Sequence, residues 1–463
     1  MFMLKIKALC ATLFSFSVFA MSAVYAQPTT LKSMSDEQLS ETTGQALMSL
    51  TYVAPTDSAN MEAKRTGGDK NIGFYKLGLE AELELNANIK KLQLGCGGVN
   101  GANGCDIDID NLGLSGLGNS ATSNTGSDAD RAARVGSSAV LTNPFIQFAI
   151  KNPGSASTRQ VVGINLSSEK AVGLLTFGTE NSSTKNGINS LSGYMQVAAT
   201  TGTALVNGFG TSTIAGEAAR TQLRQSDGYN AINGKACCLF FVGNLDFTTT
   251  AYNLNLRDQA TGSNILKGDL VLEQQAITGK RINSALLKAS ANVRDIDLTG
   301  NIIANVIGLN LNKETQGTIK NLTVDVDINE DLGYFHKASL NGTPASLSLQ
   351  GQDIQWTGNK SVAQKGWWLE FSNPIDIGKI DPTDRVDIPK ATLNEVMNQV
   401  STYLQEKPVQ CGPVGLLNCL LGSSIPLKEV DLANAPRPNM TLNNLQLAKQ
   451  DFTPNCYGSL KFC

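Results

Sequence analysis

The chain has 463 residues, 41% hydrophobic, 17% charged and 6% aromatic, with 37 basic side chains against 40 acidic and a formal net charge of −3. No basic excess exists to draw nucleic acid, and the apolar content with 44 glycines is that of a folded chain and not of a disordered one. Such a length holds two or three ordinary domains or one elongated β-structure.

The N-terminus carries Lys5 and Lys7, an apolar run from Ala8 to Ala20, and small residues ending Val24-Tyr25-Ala26 before Gln27. This order predicts a secretory signal peptide over 1–26, cleaved after Ala26. The run is too short for a comfortable bilayer span and no later segment offers about 18 uninterrupted apolar residues, so no transmembrane helix is expected. Cleavage removes Cys10 and takes the net charge to −5 by the loss of the two lysines. Eight cysteines then remain for an oxidising destination.

Residues 27–70 are expected to form an N-terminal tag and linker. Ser35 is placed to cap a short helix with Gln38 as the return arm of a capping box. Asp36 and Glu37 stand at the positive helix end, Leu39 lies within it, and Gly44 before Gln45 terminates it. Two readings stay open, a helix docked on the body or a recognition tag for assembly, because the linker from Ala54 to Lys70 carries Pro, Asp, Ser and Gly.

From Asn71 the pattern turns to period two. Leu77-Gly-Leu-Glu-Ala-Glu-Leu-Glu-Leu and Cys105-Asp-Ile-Asp-Ile-Asp-Asn-Leu alternate apolar with polar, which predicts half-buried strands in a first β region, 71–198. The Gly/Thr/Ala-rich stretch 199–238 reads as a junction or surface excursion. Long alternating runs such as Gly268-Asp-Leu-Val-Leu-Glu and Thr318-Ile-Lys-Asn-Leu-Thr-Val-Asp-Val-Asp-Ile predict a second β region over 239–375. The tail, 376–463, brings a helix at 390–405, where Leu393, Val396, Met397, Val400, Tyr403 and Leu404 recur at helical spacing after Pro389. The predicted fold class is therefore mainly β: a large antiparallel sheet or sandwich, elongated, with a short N-terminal helix and one C-terminal amphipathic helix.

Three cysteine spacings look local: Cys96 with Cys105, Cys411 with Cys419, and Cys456 with Cys463. Each would close a loop of roughly ten residues and stabilise by about 2–3 kcal/mol. Cys237 and Cys238 are left over. A bond between adjacent cysteines is strained, so this pair points to a redox or metal role or to other partners and a different connectivity. All eight are taken as structural.

Candidate chemistry is sparse. Asp106-Ile-Asp-Ile-Asp110 begins like a calcium loop, but Asn111 stands where Gly is needed and Leu117 where a bidentate Glu is needed. Asp325-Val-Asp-Ile-Asn329 departs likewise, with His336 in the twelfth place. Both fit strands whose acidic side chains share a solvent face, leaving a weak calcium ladder as the alternative. His336 is the only histidine, which excludes zinc sites needing two or three and makes any triad depend on that position. Ser167 with Lys170 and Ser182 with Lys185 match Ser-x-x-Lys without its companion elements. Trp356, Trp367, Trp368 and Phe371 are read as core before an aromatic platform. No catalytic, cofactor-binding or metal site is predicted.

The element Met34-Ser-Asp-Glu-Gln-Leu-Ser-Glu-Thr-Thr-Gly-Gln45 resembles the Asp-Glu-x-Leu-Ser-x-x-x-Gly-Gln motif of Fil-type exported surface proteins, associated with pilus or filament operons in γ-proteobacteria. The likeness continues in Leu141-Thr-Asn-Pro-Phe-Ile-Gln-Phe-Ala-Ile150 and in Val161-Val-Gly-Ile-Asn-Leu with Ala171-Val-Gly-Leu-Leu. It implies a non-enzymatic role at the cell surface or on a filament, with Ser35, Asp36, Glu37, Leu39, Gly44 and Gln45 as the assembly tag. Other surface proteins, or further copies of the chain, are the expected partners.

The leading expectation is an exported, non-enzymatic, disulfide-stapled β-protein that serves as a structural, adhesive or assembly component of a pilus-like filament. Its place would be the cell surface or the outer membrane, with the periplasm as the alternative. An outer-membrane β-barrel is the competing reading, weakened by the low aromatic content and by a C-terminus ending in Cys463. An exported hydrolase using Ser167 or Ser182 is the third.

Overall fold

The computed structural model describes residues 48–101, 104–117, 137–179, 184–237, 243–306, 309–375, 377–410 and 424–445. The chain begins with β1 (Met48–Val53), the one-turn helix α1 (Met61–Lys64), β2 (Ile72–Leu79), β3 (Glu82–Leu85), β4 (Ala87–Leu94) and β5 (Ile107–Ser115). Next come β6 (Ala139–Lys151), β7 (Gln160–Thr176), β8 (Ile188–Val197), β9 (Thr200–Asn207) and β10 (Asn233–Cys237). The middle supplies β11 (Leu245–Asp258), β12 (Ile265–Leu272), β13 (Gln275–Ile282), β14 (Ser284–Val293), β15 (Ile296–Val306), β16 (Leu309–Lys320) and β17 (Thr323–Asp331). The last part carries β18 (Lys337–Thr343), β19 (Ala345–Gln350), β20 (Gly366–Ile375), β21 (Arg385–Asp387) and helix α2 (Lys390–Glu406). Four short strands close it: β22 (Val409–Gln410), β23 (Ile425–Pro426), β24 (Val430–Asp431) and β25 (Asn439–Asn443).

The protein is mainly β, and its strands fall into three sheets. The largest runs β1-β2-β6-β7-β19-β20-β8-β5-β4, with β13, β18 and β3 attached to β8, β7 and β6. A second runs β22-β10-β11-β15-β16-β23 with β24 also on β16, and a third runs β21-β9-β12-β14-β17-β25.

Alternation explains how the second and third sheets meet. In β12, Leu266, Leu270 and Leu272 are buried while Lys267 and Asp269 face solvent; in β17, Val324, Val326 and Ile328 are buried. Across from them, β11 contributes Tyr252, Leu254 and Leu256 and β15 contributes Leu298 and Ile302 to the same apolar cluster. Period-two patterning thus places one face of each sheet inside. Helix α2 packs on β10 and buries Leu393, Val396, Met397, Val400 and Leu404, a stripe at helical spacing.

The chain order of the sheets departs from the sequence reading at two points. The stretch 199–238 is not a bare junction, because β9 lies in the third sheet and β10 in the second. Strands of the two β regions share one sheet: β13, β18, β19 and β20 return to the first. Local alternation fixes which residues form strands, but not which strands they pair with. The sheets are also mixed and not purely antiparallel. β20 joins β8 in parallel, and β21, β22, β23, β24 and β25 all add parallel to β9, β10, β16 and β17.

Cys96 and Cys105 form a disulfide nine residues apart, as their spacing predicts. Cys237 is disulfide-bonded as well, which removes it from redox or metal duty as a free thiol. Cys238, Cys411, Cys419, Cys456 and Cys463 lie outside the described residues, as do the signal segment 1–26 and Ser35, Asp36, Glu37, Leu39, Gly44 and Gln45 of the N-terminal element.

Candidate functional site

The residues singled out for chemistry are dispersed. Asp108 and Asp110 project from β5 while Ile107 and Ile109, which alternate with them, are fully buried. Lys91 bridges the two carboxylates at 2.6 and 2.8 Å, and Asn189 donates to both. Partial burial alone would raise the Asp108 carboxyl, but the hydrogen bonds from Lys91, Gln93 and Asn189 outweigh it and hold the group below its ordinary range. Asp106 is buried and accepts the Trp367 backbone N–H at 3.1 Å. On β17, Asp325 pairs with Arg437 at 3.3 Å and Asp327 accepts from Asn439. Among the described residues no group of three His, Cys, Asp or Glu side chains is gathered as for a metal ion.

His336 is buried, its Nδ1 lies 2.9 Å from the Phe177 carbonyl oxygen, and burial pushes its pKa down. The Ser167 hydroxyl donates to the Ala345 carbonyl at 3.0 Å. Lys185 pairs with Asp331 at 2.9 Å, and Ser182 lies outside the described residues. The aromatic group splits. Trp356 and Trp368 are core with Phe74, Phe371 packs against Phe177, and Trp367 is half-buried on the opposite side of its strand from Trp368.

What the structure does assemble lies in the first sheet, where β6, β7 and β19 are turned the opposite way from their pattern. Registers across six strands align three apolar rows on one face. One row runs Leu50, Leu77, Ile146, Leu166, Leu347 and Leu369, and the next runs Tyr52, Tyr75, Phe148, Ile164, Leu349 and Trp367. Beside them Met48 is opposite Leu79, Pro144 opposite Ser168, and Ala345 opposite Phe371. Leu50 is 70% exposed, Leu166 45% and Ile146 38%, whereas Gln147, Asn165, Ser348 and Glu370 on the other face are buried. Half-buried strands are present as the alternation predicts, with the polar half inside.

The cause is a cover. The segment carrying Ile354, Trp356 and Ala363 lies over the polar face and packs with Ile72, Phe74, Ala149 and Trp368. Gly163 admits it, since a Cβ there would stand 2.8 Å from the Trp356 ring. Two fully buried carboxylates fasten the cover. Glu370 accepts from the Ser361 hydroxyl and from the Lys360 and Ser361 backbone N–H groups. Glu62, in α1, accepts from Arg65 and from the backbone N–H groups of Asp69 and Gln355. Burial pushes the Glu370 carboxyl up, with those donors opposing the rise. Buried polar groups held this way are satisfied and not stranded.

On the open face the sheet curls. β7 pairs with β19 through Gly163–Ser167 and with β5 through Leu174–Ser115 and its neighbours, so β7, β19, β20, β8 and β5 close into a ring. Between the apolar rows and the facing side chains Leu85, Ile89, Leu92, Leu112 and Leu114 lies a cavity of about 700 Å³. Among the described residues no ionisable side chain lines it; its polar contributors are Ser167, Ser168 and Ser346. The exposure of Met48, Ile146 and Leu166 marks its opening to solvent. A second, polar recess of about 290 Å³ adjoins it, sharing Gly78 and Leu79 and lined by Lys76, Glu80, Glu82, Asn143 and Glu169. There Lys76 at 2.9 Å and the Asn143 amide donate to Glu169 and hold that carboxyl low. The alternation in β6 and β7 signalled an apolar face; only the distant Trp356 segment determined that this face stays open.

No family model, no curated protein and no solved structure matches the chain. No helix among the described residues is long and apolar enough to cross a membrane.

Proposed function

We propose that the chain is an exported, non-enzymatic component of a surface filament, with an elongated body and a structural, adhesive or assembly role. It joins other surface proteins, or further copies of itself, by strand addition at β1. The observation that carries this reading is the treatment of sheet edges. Among the described residues, β21, β22, β23 with β24, and β25 cover the ends of the second and third sheets. In the first sheet β4, at one end, carries Lys90 and Lys91, the charges that blunt an edge. β1, at the other end, is Met-Ser-Leu-Thr-Tyr-Val, without charge or proline. Its Met48, Leu50 and Tyr52 extend the three apolar rows, so an added strand would gain both backbone hydrogen bonds and apolar neighbours.

The signal-like leader and the resemblance of residues 34–45 support export and filament association. The outward face of the third sheet carries Lys267 and Asp269 on β12 and Asp325 and Asp327 on β17, which do not suit the lipid-facing band of a spanning barrel. Outer-membrane association, in this reading, is peripheral.

The test uses the full mature chain. Light scattering and binding to filament-bearing cells should report self- or partner association, lost in Leu50→Lys and Tyr52→Lys at unchanged melting temperature. A monomer that binds neither cells nor filaments, or association indifferent to both substitutions, would reject the proposal.

A further inference from the structure

We infer that the apolar cavity of the first sheet binds an acyl chain of a membrane lipid whose head group bears an ammonium, of the phosphatidylethanolamine kind. The inference stands on the cavity and not on the edge-pairing proposal. A volume of about 700 Å³ lies within the roughly 300–1,000 Å³ of small-molecule sites, which are mostly apolar with few polar groups.

The chemistry of the occupant follows from what the walls lack. The strands that form the main wall spend their backbone groups on one another, in the β6–β7, β7–β19 and β19–β20 ladders. A peptide inside would bring N–H and C=O groups with almost nothing to receive them, at roughly 1–3 kcal/mol for each left unpaired. A hydrocarbon chain carries no such cost, and covering Ile146, Leu166 and Met48 removes apolar surface from water. The lining that the described residues form, apolar but for three serines, also keeps a charged group out.

The head group is assigned by charge. The recess next to the cavity holds Glu80, Glu82 and Glu169 against the single Lys76, which already pairs with Glu169. A free fatty acid would set its carboxylate beside that surplus of negative charge. An ammonium would meet Glu80 and Glu82 instead, with its phosphate outward in solvent.

The experiment is lipid uptake by the full mature chain from vesicles of phosphatidylethanolamine and phosphatidylglycerol containing a pyrene-acyl phosphatidylethanolamine, read as loss of excimer emission. Uptake should saturate at one lipid per chain and be displaced by unlabelled phosphatidylethanolamine at least tenfold better than by palmitate. Ile146→Arg and Leu166→Arg, at side chains exposed enough to accept the change, should weaken uptake at least tenfold. Leu286→Arg, on the exposed face of β14, should not.

A diazirine-bearing acyl chain gives a readout that needs no variant, with crosslinks expected on peptides containing Ile89, Leu92 and Leu347. No uptake, uptake indifferent to both arginines, or crosslinks elsewhere would overturn the site. Better displacement by palmitate would overturn the head-group assignment. No uptake together with a dimer that both arginines dissociate would give the cavity to a second copy and overturn the proposal.

Discussion

Glu330 lies at the end of β17 opposite Ala285, fully buried, and among the described residues no hydrogen bond of ordinary geometry reaches either carboxyl oxygen. The backbone N–H of Leu445 offsets a little of the effect of burial and Asp331 adds to it, leaving the pKa raised from 4.5 to about 8. Such an acid stays protonated in the folded chain over a range where the unfolded chain has already ionised. The unfolded state therefore binds fewer protons, and stability falls as pH rises. Glu330's contribution is fully present below about pH 4.5 and exhausted above about pH 8. At about 1.4 kcal/mol per pKa unit the whole shift corresponds to about 5 kcal/mol, most of which falls between pH 5 and pH 8. His336 works in the opposite sense, because a buried imidazole with a lowered pKa favours the folded state as pH rises through the unfolded value. The comparison must therefore be with Glu330→Gln, which keeps the shape and His336 while removing the proton. Urea unfolding at pH 5, 6.5 and 8 should give a wild type that loses about 3–4 kcal/mol relative to the variant across that range. Parallel curves for the two proteins would refute the burial of an unpaired carboxyl at this position.

The buried carboxylate that fastens the cover should be costly to remove. Glu62→Ala takes away the carboxylate partner of Arg65, which keeps the Asp353 carbonyl, and leaves two backbone N–H groups without their acceptor, so a loss of about 3–5 kcal/mol is expected in urea unfolding, with exposure of Trp356 as a red shift in fluorescence. The paired change Cys96→Ser with Cys105→Ser should cost about 2.5–3 kcal/mol under non-reducing conditions and nothing once the wild type is reduced. Cys237 is in register with Gln410, the residue before Cys411. Non-reducing peptide mapping should accordingly join the Cys237 peptide to the Cys411 peptide; a Cys411–Cys419 loop standing alone would contradict it.

The parts of this fold that were legible are those where one short-range rule settles the outcome. The stripe of Leu393, Val396, Met397, Val400 and Leu404 specifies a helix and its buried face together. The alternation of Val324, Val326 and Ile328 with acidic residues specifies a strand and its inward side, because a single opposing sheet waits to cover it. Cys96 and Cys105 are brought together by a loop of Gly and Asn. In each, sequence neighbours and spatial neighbours nearly coincide.

The candidate site obeys no such rule. Ile164 and Leu166 alternate with Gly163 and Asn165 as cleanly as Val324 and Val326 alternate with their neighbours, yet Asn165 is the buried residue and Leu166 the exposed one. Period two says that a strand has two unlike faces and leaves open which one the rest of the chain covers. Here the decision is taken nearly two hundred residues later, where Trp356 settles over Gly163 and its cover is held by Glu62 and Glu370. A signal was nonetheless present: Gly163, Asn165 and Ser167 offer a strand face of small and amide side chains that suits a large aromatic laid across it. The same stretch of β7 gives up burial of its own aliphatic residues, a loss of about 1.5–3 kcal/mol for each large side chain left in water. Leu50 is 70% exposed and Ile146, Ile164, Leu166 and Leu349 are 38–45% exposed in adjoining rows, so the chain forgoes a part of that figure at each of them. Occupation of the face and cavity, by lipid along the inner rows and by a partner strand at β1, would recover it, and the two measurements proposed above read those recoveries separately.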